Sequence, residues 1–280
     1  MSNTASGAGA KNGEHMVPVK GTQLRVKIEG KEGADWLVFS NSIATDLTMW
    51  DSVAPKFADR FRVLRYDTRG HGRSKPIDDA TADATKFEDL ASDVVTILDH
   101  FGIGKCDFIG VSLGGITALG LGFIAPSRLR SITIIGSRAD MPPPMIQAWT
   151  DRIANARKNG MQAELEPTLA RWFTPEFRTA KPQVVDPIGK MILTTHPNGF
   201  AAGASALRVL AYLPKLGAIK VPTLLIAGKQ DGPTPAAMKG MSEVLPNVRF
   251  HEIDGAAHLV PVEQPDQTFK LIDAFLRERK

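Results

Sequence analysis

Asp107-Phe-Ile-Gly-Val-Ser-Leu-Gly-Gly-Ile116 runs from a short apolar segment, through a glycine-flanked serine, into a longer helical segment. A strand that turns sharply into a helix brings backbone segments close together, and side chains beside the turn residue clash there. Glycine at 110 and 114 removes those side chains and leaves Ser112 exposed in a strained conformation. The helix starting behind the serine directs its N-terminal N–H groups to where negative charge develops during attack on a carbonyl. Gly110-Val-Ser-Leu-Gly114 therefore has the setting that a G-x-S-x-G nucleophile elbow requires. The same five-residue pattern also arises around incidental serines in tight turns, so its meaning depends on its partners.

Outward from this turn, short apolar runs alternate with longer helical patterns, as in a mainly parallel sheet with crossover helices. Leu24–Ile28 reads as an edge strand, and Trp36–Phe39, Arg62–Tyr66, Asp107–Val111 and Ser131–Ile135 read as buried ones. Phe87–Phe101 places Leu90, Val94, Ile97 and Leu98 at helical spacing, which predicts a crossover helix. After Gly136 the pattern changes. Met141–Pro144 breaks the chain, and amphipathic segments follow from Ile146 to about Leu216 without a strand. Strand signals resume at Thr223–Ala227 and Val248–Ile253, and an amphipathic helix over Phe269–Arg277 closes the chain. The expected organisation is an α/β core over 16–137 and 217–280, a helical cap over 138–216, and a polar tail over 1–15, native or a cloning remnant.

Composition narrows the function classes. The 280 residues are 43% hydrophobic and 23% charged, values that fit a globular protein with a sizeable core. The formal charge of +4 spreads over 34 basic and 30 acidic residues with no long block of one sign, so no nucleic-acid partner is expected. Cys106 is the only cysteine, which excludes an internal disulfide and a four-thiolate metal site and fits a reducing cytoplasm. Met1–His15 lacks the apolar core of a signal peptide, and no run approaches the roughly 20 apolar residues of a membrane helix. A soluble, cytoplasmic protein with a small-molecule ligand is expected.

A serine hydroxyl is a weak nucleophile without a base, and on this architecture the partners follow in the order serine, acid, histidine. Asp231 lies in Gly228-Lys-Gln-Asp-Gly-Pro233, beyond the strand Thr223–Ala227. His258 lies in Gly255-Ala-Ala-His258, beyond the strand ending at Ile253. Loops at the carboxyl edge of such a sheet converge on one crevice, so Ser112, Asp231 and His258 are the expected triad. Other histidines fit less well: His15 belongs to the tail, His100 to a crossover helix, His196 to the cap and His251 to a strand. His71 follows a strand but sits in a glycine-flanked turn, and Asp254, near His258 in sequence, ends a strand. The oxyanion needs two backbone donors. The expected ones are the amides of Leu113, after the serine, and of Ser42, in the loop Ser40-Asn-Ser-Ile-Ala-Thr-Asp46, where Thr45 or Asp46 also suits a helix N-cap.

Together these segments resemble the α/β-hydrolase superfamily, and several resemble the 3-oxoadipate enol-lactone hydrolases of aromatic catabolism in particular. Ser40-Asn-Ser-Ile-Ala-Thr-Asp-Leu-Thr-Met-Trp50 is similar to the oxyanion-loop segment of that family, and it discriminates best. Tyr66-Asp-Thr-Arg-Gly-His-Gly-Arg-Ser74 and Gly255-Ala-Ala-His258 are shared across many hydrolases. In the cap, Ala170-Arg-Trp-Phe-Thr-Pro-Glu-Phe177 and Thr195–Arg208 look like the enol-lactonase pattern, whereas Ala201–Ser205, Val209–Leu213 and Gly136–Pro144 depart from it. The resemblance implies a mainly parallel eight-stranded sheet flanked by helices, with the helical cap inserted after strand 6. It also implies a carboxylate-bearing lactone or ester that Ser112 opens through an acyl-enzyme, with His258 as base and no cofactor.

A substrate carboxylate needs a cation or a set of donors, and Arg138 and Arg152, just after the sixth core strand, are candidates by position. Asn41 in the oxyanion loop, together with Met145 and Trp149 as an apolar wall, completes the expected substrate contacts. Arginines on cap helices are, however, most often surface residues, and Met and Trp at helical spacing also serve ordinary packing. The alternatives are a carboxylesterase, another lactonase or a carbon–carbon bond hydrolase on the same triad. A ligand receptor with vestigial hydrolysis, or a cofactor-independent oxygenase or perhydrolase, would use the same scaffold. No metal site is expected, because no two histidines have helical ligand spacing, and neither a G-x-G-x-x-G nor a phosphate-loop lysine is present.

Overall fold

The computed structural model describes residues 10–279. Its strands are β1 (Gly13–Val19), β2 (Thr22–Gly30), β3 (Trp36–Ser40), β4 (Arg62–Tyr66), β5 (Cys106–Val111), β6 (Leu129–Ile135), β7 (Thr223–Gly228) and β8 (Val248–Ile253). They form one eight-stranded sheet in the order β1-β2-β4-β3-β5-β6-β7-β8. The β1·β2 and β2·β4 pairs are antiparallel, and every pair from β4 to β8 is parallel. Every residue of β4, β5 and β7 is buried, as strands covered by helices on both faces must be.

Two expectations at the N-terminal edge are corrected. Residues 13–15, assigned to a tail, belong to β1, where His15 pairs in register with Val26. β2 is consequently an interior strand and not an edge. Only Val17 of β1 is buried, so the strand carries no apolar alternation to read. Polar contacts hold it instead: Glu14 forms ion pairs with Arg25 and Arg73. The tail expected before it lies otherwise outside the described residues, apart from positions 10–12.

The helices of the first half are α1 (Asp79–Ala84), α2 (Phe87–His100) and α3 (Leu113–Ile124). α3 is apolar on all faces and buried over Leu113–Gly122, which places the serine turn at the centre of the fold. Between β6 and β7 the chain forms α4 (Pro143–Asn159), α5 (Gln162–Trp172), α6 (Pro175–Ala180), α7 (Pro182–Thr194) and α8 (Pro197–Arg208). α9 (Thr234–Val244), α10 (Val260–Glu263) and α11 (Pro265–Glu278) complete the core.

Specific contacts tie α4–α8 to the core. The Ala139 carbonyl accepts from the amides of Tyr212 (2.8 Å) and Leu213 (2.9 Å), so the chain leaves and re-enters the core at one point. At the far side, the Gly70 carbonyl accepts from the His196 amide at 3.0 Å. A Cβ on Gly199 would lie 2.3 Å from that carbonyl, so α8 docks on the 67–75 loop only because both residues are glycine. Among the described residues no helix is long and apolar enough to cross a membrane.

Candidate active site

Ser112 occupies the turn between β5 and α3 with φ 53° and ψ −112°, a conformation that costs a non-glycine residue on the order of 1–3 kcal/mol. A Cβ on Gly110 would lie 2.2 Å from the Gly114 carbonyl, and one on Gly114 would lie 2.5 Å from the Ser40 carbonyl. The turn therefore admits only glycine at both positions, which is the steric purpose expected from the sequence. Ser112 is not exposed as expected, though: it is buried at 8% accessibility, at the bottom of a narrow cleft shared by core and cap.

Asp231 and His258 reach that place from the ends of β7 and β8. The Asp231 amide donates to the Gly228 carbonyl at 3.0 Å, and its own carbonyl accepts from Thr234 at 3.0 Å, fixing the loop before α9. The carboxylate Oδ2 lies 2.7 Å from His258 Nδ1, and both residues are buried. Helix α5 braces the histidine. The Trp172 carbonyl accepts from the amides of His258 and Leu259, each at 3.1 Å, and the Trp172 indole stacks on the imidazole at 6.4 Å and 19°. His258 Nε2 is buried with no hydrogen-bond partner among the described residues, Ser112 Oγ included, and both residues line the same cleft. Base-to-nucleophile hydrogen bonds commonly tighten only in the substrate complex.

The rival residues are occupied elsewhere. Asp254 is exposed and pairs with Lys229 at 2.7 Å. His71 is fully buried with Nδ1 3.0 Å from the Arg69 carbonyl, and burial pushes its pKa down to about 4. His15 lies in β1, His251 in β8, His100 ends α2, and His196 caps α8 by accepting from Asn198 at 3.1 Å.

The 40–46 loop meets the serine turn directly, because the Gly114 amide donates to the Asn41 carbonyl at 3.0 Å. Neither the Ser42 amide nor the Leu113 amide has a hydrogen-bond acceptor among the described residues, the latter as the first residue of α3. Ala44 adopts φ 55°, a second strained position in this loop. Of the two expected N-caps, Asp46 has the role: it accepts from Thr48 at 2.8 Å, while the Thr45 hydroxyl donates to the Ser42 carbonyl at 2.8 Å. Asp67 buttresses the loop from beneath by accepting from the Leu47 and Arg73 amides at 2.7 and 2.9 Å, and burial lifts its pKa to about 6.

Three of the five expected substrate contacts line the cleft: Arg138, Met145 and Trp149. Arg138 is already neutralised, holding Asp140 Oδ1 at 3.0 Å and the Asp140 carbonyl at 2.6 Å. The other two are corrected. Arg152 donates to the buried Glu164 at 2.6 Å and to Thr168 at 2.8 Å and stacks over Trp149 at 4.4 Å, so it is a packing element of α4 and α5. Asn41 has no accessible surface, and its amide donates to the Tyr66 carbonyl at 2.8 Å, so it braces the loop.

Residues not foreseen complete the wall, among them Ile116, Leu207, Thr234 and Arg171. Arg171 is exposed by accessible surface, with dense protein around it, and that surrounding, followed by the charge of Arg152, lowers its pKa from the ordinary guanidinium value. Arg171 and Trp172 fall in the Ala170–Phe177 segment that resembles the enol-lactonase pattern, and that was the available signal. Glu263 was also missed. Its Oε1 accepts from the Thr174 amide at 2.8 Å and hydroxyl at 2.9 Å, and its Oε2 accepts from the Ala257 amide at 2.5 Å, joining the end of α5 to the histidine loop. The cleft is narrow, with a cavity volume of about 40 Å³, far below the roughly 300–1,000 Å³ of ordinary ligand pockets.

A mainly parallel sheet with a strained serine turn after β5, and an aspartate–histidine pair after β7 and β8, defines a class of hydrolytic scaffold. A family model for the alpha/beta hydrolase fold matches residues 35–265, and the chain belongs to the α/β-hydrolase family. It is a hydrolase. It is 34% identical to 3-oxoadipate enol-lactonase 1 of Acinetobacter baylyi over 92% of this chain and 94% of that one. A second enol-lactonase of that organism is 31% identical over 86% and 88%. The crystal structure of the enol-lactonase from Burkholderia xenovorans LB400 superposes with a TM-score of 0.87 at 32% identity, covering 94% of this chain and all of that one.

Proposed function

We propose that the protein is a serine hydrolase that opens a lactone or ester through an acyl-enzyme, with a 3-oxoadipate enol-lactone-like compound as its substrate. The observation that carries this is the 2.7 Å contact between Asp231 and His258 Nδ1, with Nε2 unpartnered and the histidine lining one cleft with a serine held in a strained turn. The names of the relatives support the lactone.

In this mechanism the Asp231 carboxylate fixes the tautomer in which Nδ1 carries the proton and Nε2 is basic. Nε2 takes the hydroxyl proton of Ser112 as Oγ bonds to the lactone carbonyl, and the Ser42 and Leu113 amides donate to the oxyanion. Collapse breaks the ring C–O bond. The leaving enolate oxygen takes the proton held on His258 Nε2, which returns the imidazole to its neutral form, and the enol released tautomerises to a ketone, which makes ring opening favourable. Water then attacks the acyl-enzyme, gives a proton to His258, and Ser112 leaves with that proton.

The cavity volume of about 40 Å³ is well below the roughly 300–1,000 Å³ of ordinary ligand pockets. Residues 138–216 act as a cap whose side chains yield on binding, and the flexible thioether chain of Met145 suits that movement. Substitution Ser112→Ala is expected to lower kcat on enol lactones and aryl esters by roughly 10⁴- to 10⁶-fold. Near-wild-type turnover in that variant would overturn covalent serine catalysis. A panel of enol lactones, simple lactones and alkyl esters ranked by kcat/KM tests the substrate, with the enol lactone expected to lead.

A further inference from the structure

Three arginines surround the Trp149 end of the cleft, and they differ in what neutralises them. Arg138 pairs with Asp140 at 3.0 Å, and Arg152 pairs with Glu164 at 2.6 Å. Arg171 has no ion-pair or hydrogen-bond partner among the described residues. Its guanidinium lies 5.9 Å from the centre of the Trp149 ring and on the same cleft as Ser112 and His258. A guanidinium stays protonated in proteins, so this is a fixed positive charge, exposed on the cleft wall, with Asp231 as the opposite charge acting on it and no ion pair of its own among the described residues. The charge of Arg152 repels it. A carboxylate suits such a group best, because its two oxygens match the planar fork of the guanidinium.

We propose that Arg171, against the Trp149 ring, is the subsite for a free carboxylate on the acyl substrate and sets the preference of the cleft for anionic lactones and esters. The assignment rests on the serine-hydrolase mechanism above, and it moves the carboxylate contact from Arg138 and Arg152 to a residue at the end of α5. That position has a second consequence. Trp172, the next residue, holds the histidine loop through its carbonyl and its ring. A carboxylate seated on Arg171 therefore lands beside the element that orients His258.

The test compares mono-4-nitrophenyl glutarate, which carries a carboxylate, with neutral 4-nitrophenyl valerate, and reads the ratio of their kcat/KM values. Wild type is expected to favour the carboxylate ester, and Arg171→Gln to reduce that ratio by about 10- to 150-fold, mainly through KM. Arg171→Lys, which keeps the charge without the fork, is expected to restore part of it, and Arg138→Gln to move it less than Arg171→Gln does. An unchanged ratio in Arg171→Gln, or a larger drop in Arg138→Gln, overturns the subsite. Calorimetric binding of levulinate, an unreactive keto acid, provides a readout independent of turnover, with affinity expected to fall by a similar factor in Arg171→Gln. If Ser112→Ala hydrolyses both esters as wild type does, the mechanism fails while the levulinate result still decides the subsite.

Discussion

The two walls of the cleft are built differently. On the core side the polar groups are fixed by backbone geometry: a strained serine between obligatory glycines, an amide tied to the Asn41 carbonyl, and a carboxylate 2.7 Å from the imidazole. On the cap side the groups are long side chains, Arg138, Met145, Trp149 and Arg171, whose behaviour depends on which partner each finds. In the proposed mechanism the first wall is preorganised for one kind of chemistry, and such sites lose activity on every substrate when disturbed, whereas the second wall selects among substrates. Substitutions there are expected to change the ratio between substrates more than the rate on all of them.

Asp231→Asn is the strongest test of the core wall. It keeps the shape but favours the wrong histidine tautomer, and kcat is expected to fall by about 10³- to 10⁴-fold on carboxylate and neutral esters alike. A selective loss on one of them would dissolve the distinction between the walls. Glu263→Gln tests the joint. The amide replaces one acceptor with a donor facing either Thr174 or Ala257, so kcat is expected to drop by about tenfold for all substrates, with a lower melting temperature. Trp149→Phe is expected to change the carboxylate-to-neutral ratio only by about three- to fivefold, because the ring face stays while the indole contact area shrinks. Equal losses on both substrates would instead assign Trp149 to general packing.

A fourth substitution lies outside both walls and is expected to leave substrate ratios alone. The pKa of His71 is pushed down to about 4 by burial, so the unfolded chain binds a proton more readily than the native one. Stability contributed by the neutral imidazole is therefore complete above pH 6.5 and is lost as the pH falls from 6.5 to 4, by up to about 3 kcal/mol. His71→Gln cannot titrate. The melting-temperature gap between wild type and this variant should therefore narrow over that interval, and a constant gap would contradict the account of His71.

What was legible in the sequence follows the same division. The serine turn could be read because the clash that demands glycine at 110 and 114 is local, and Asp231 and His258 could be placed because each lies in a glycine-bearing loop just beyond a strand, the apolar β7 and the alternating Val248-Arg-Phe-His-Glu-Ile253 of β8. β1 could not, since only Val17 is buried and the strand is otherwise half-buried or exposed. The roles of the cap arginines were hidden for a different reason. Arg152 and Glu164 lie on separate helices, and no periodicity announces that they meet, whereas the Arg138–Asp140 pair is two residues apart and was within reach of local reasoning. Arg171 stands out only once the carboxylates have been assigned to the other two.

The central claim is that Ser112 forms the covalent bond, and trapping that bond tests it most directly. Wild type treated with a fluorophosphonate and digested should yield one modified peptide, with the added mass on Ser112, in parallel with loss of esterase activity. His258→Gln should label far more slowly. Full loss of activity with the label on another residue, or full turnover by an enzyme whose Ser112 is already blocked, would contradict the account.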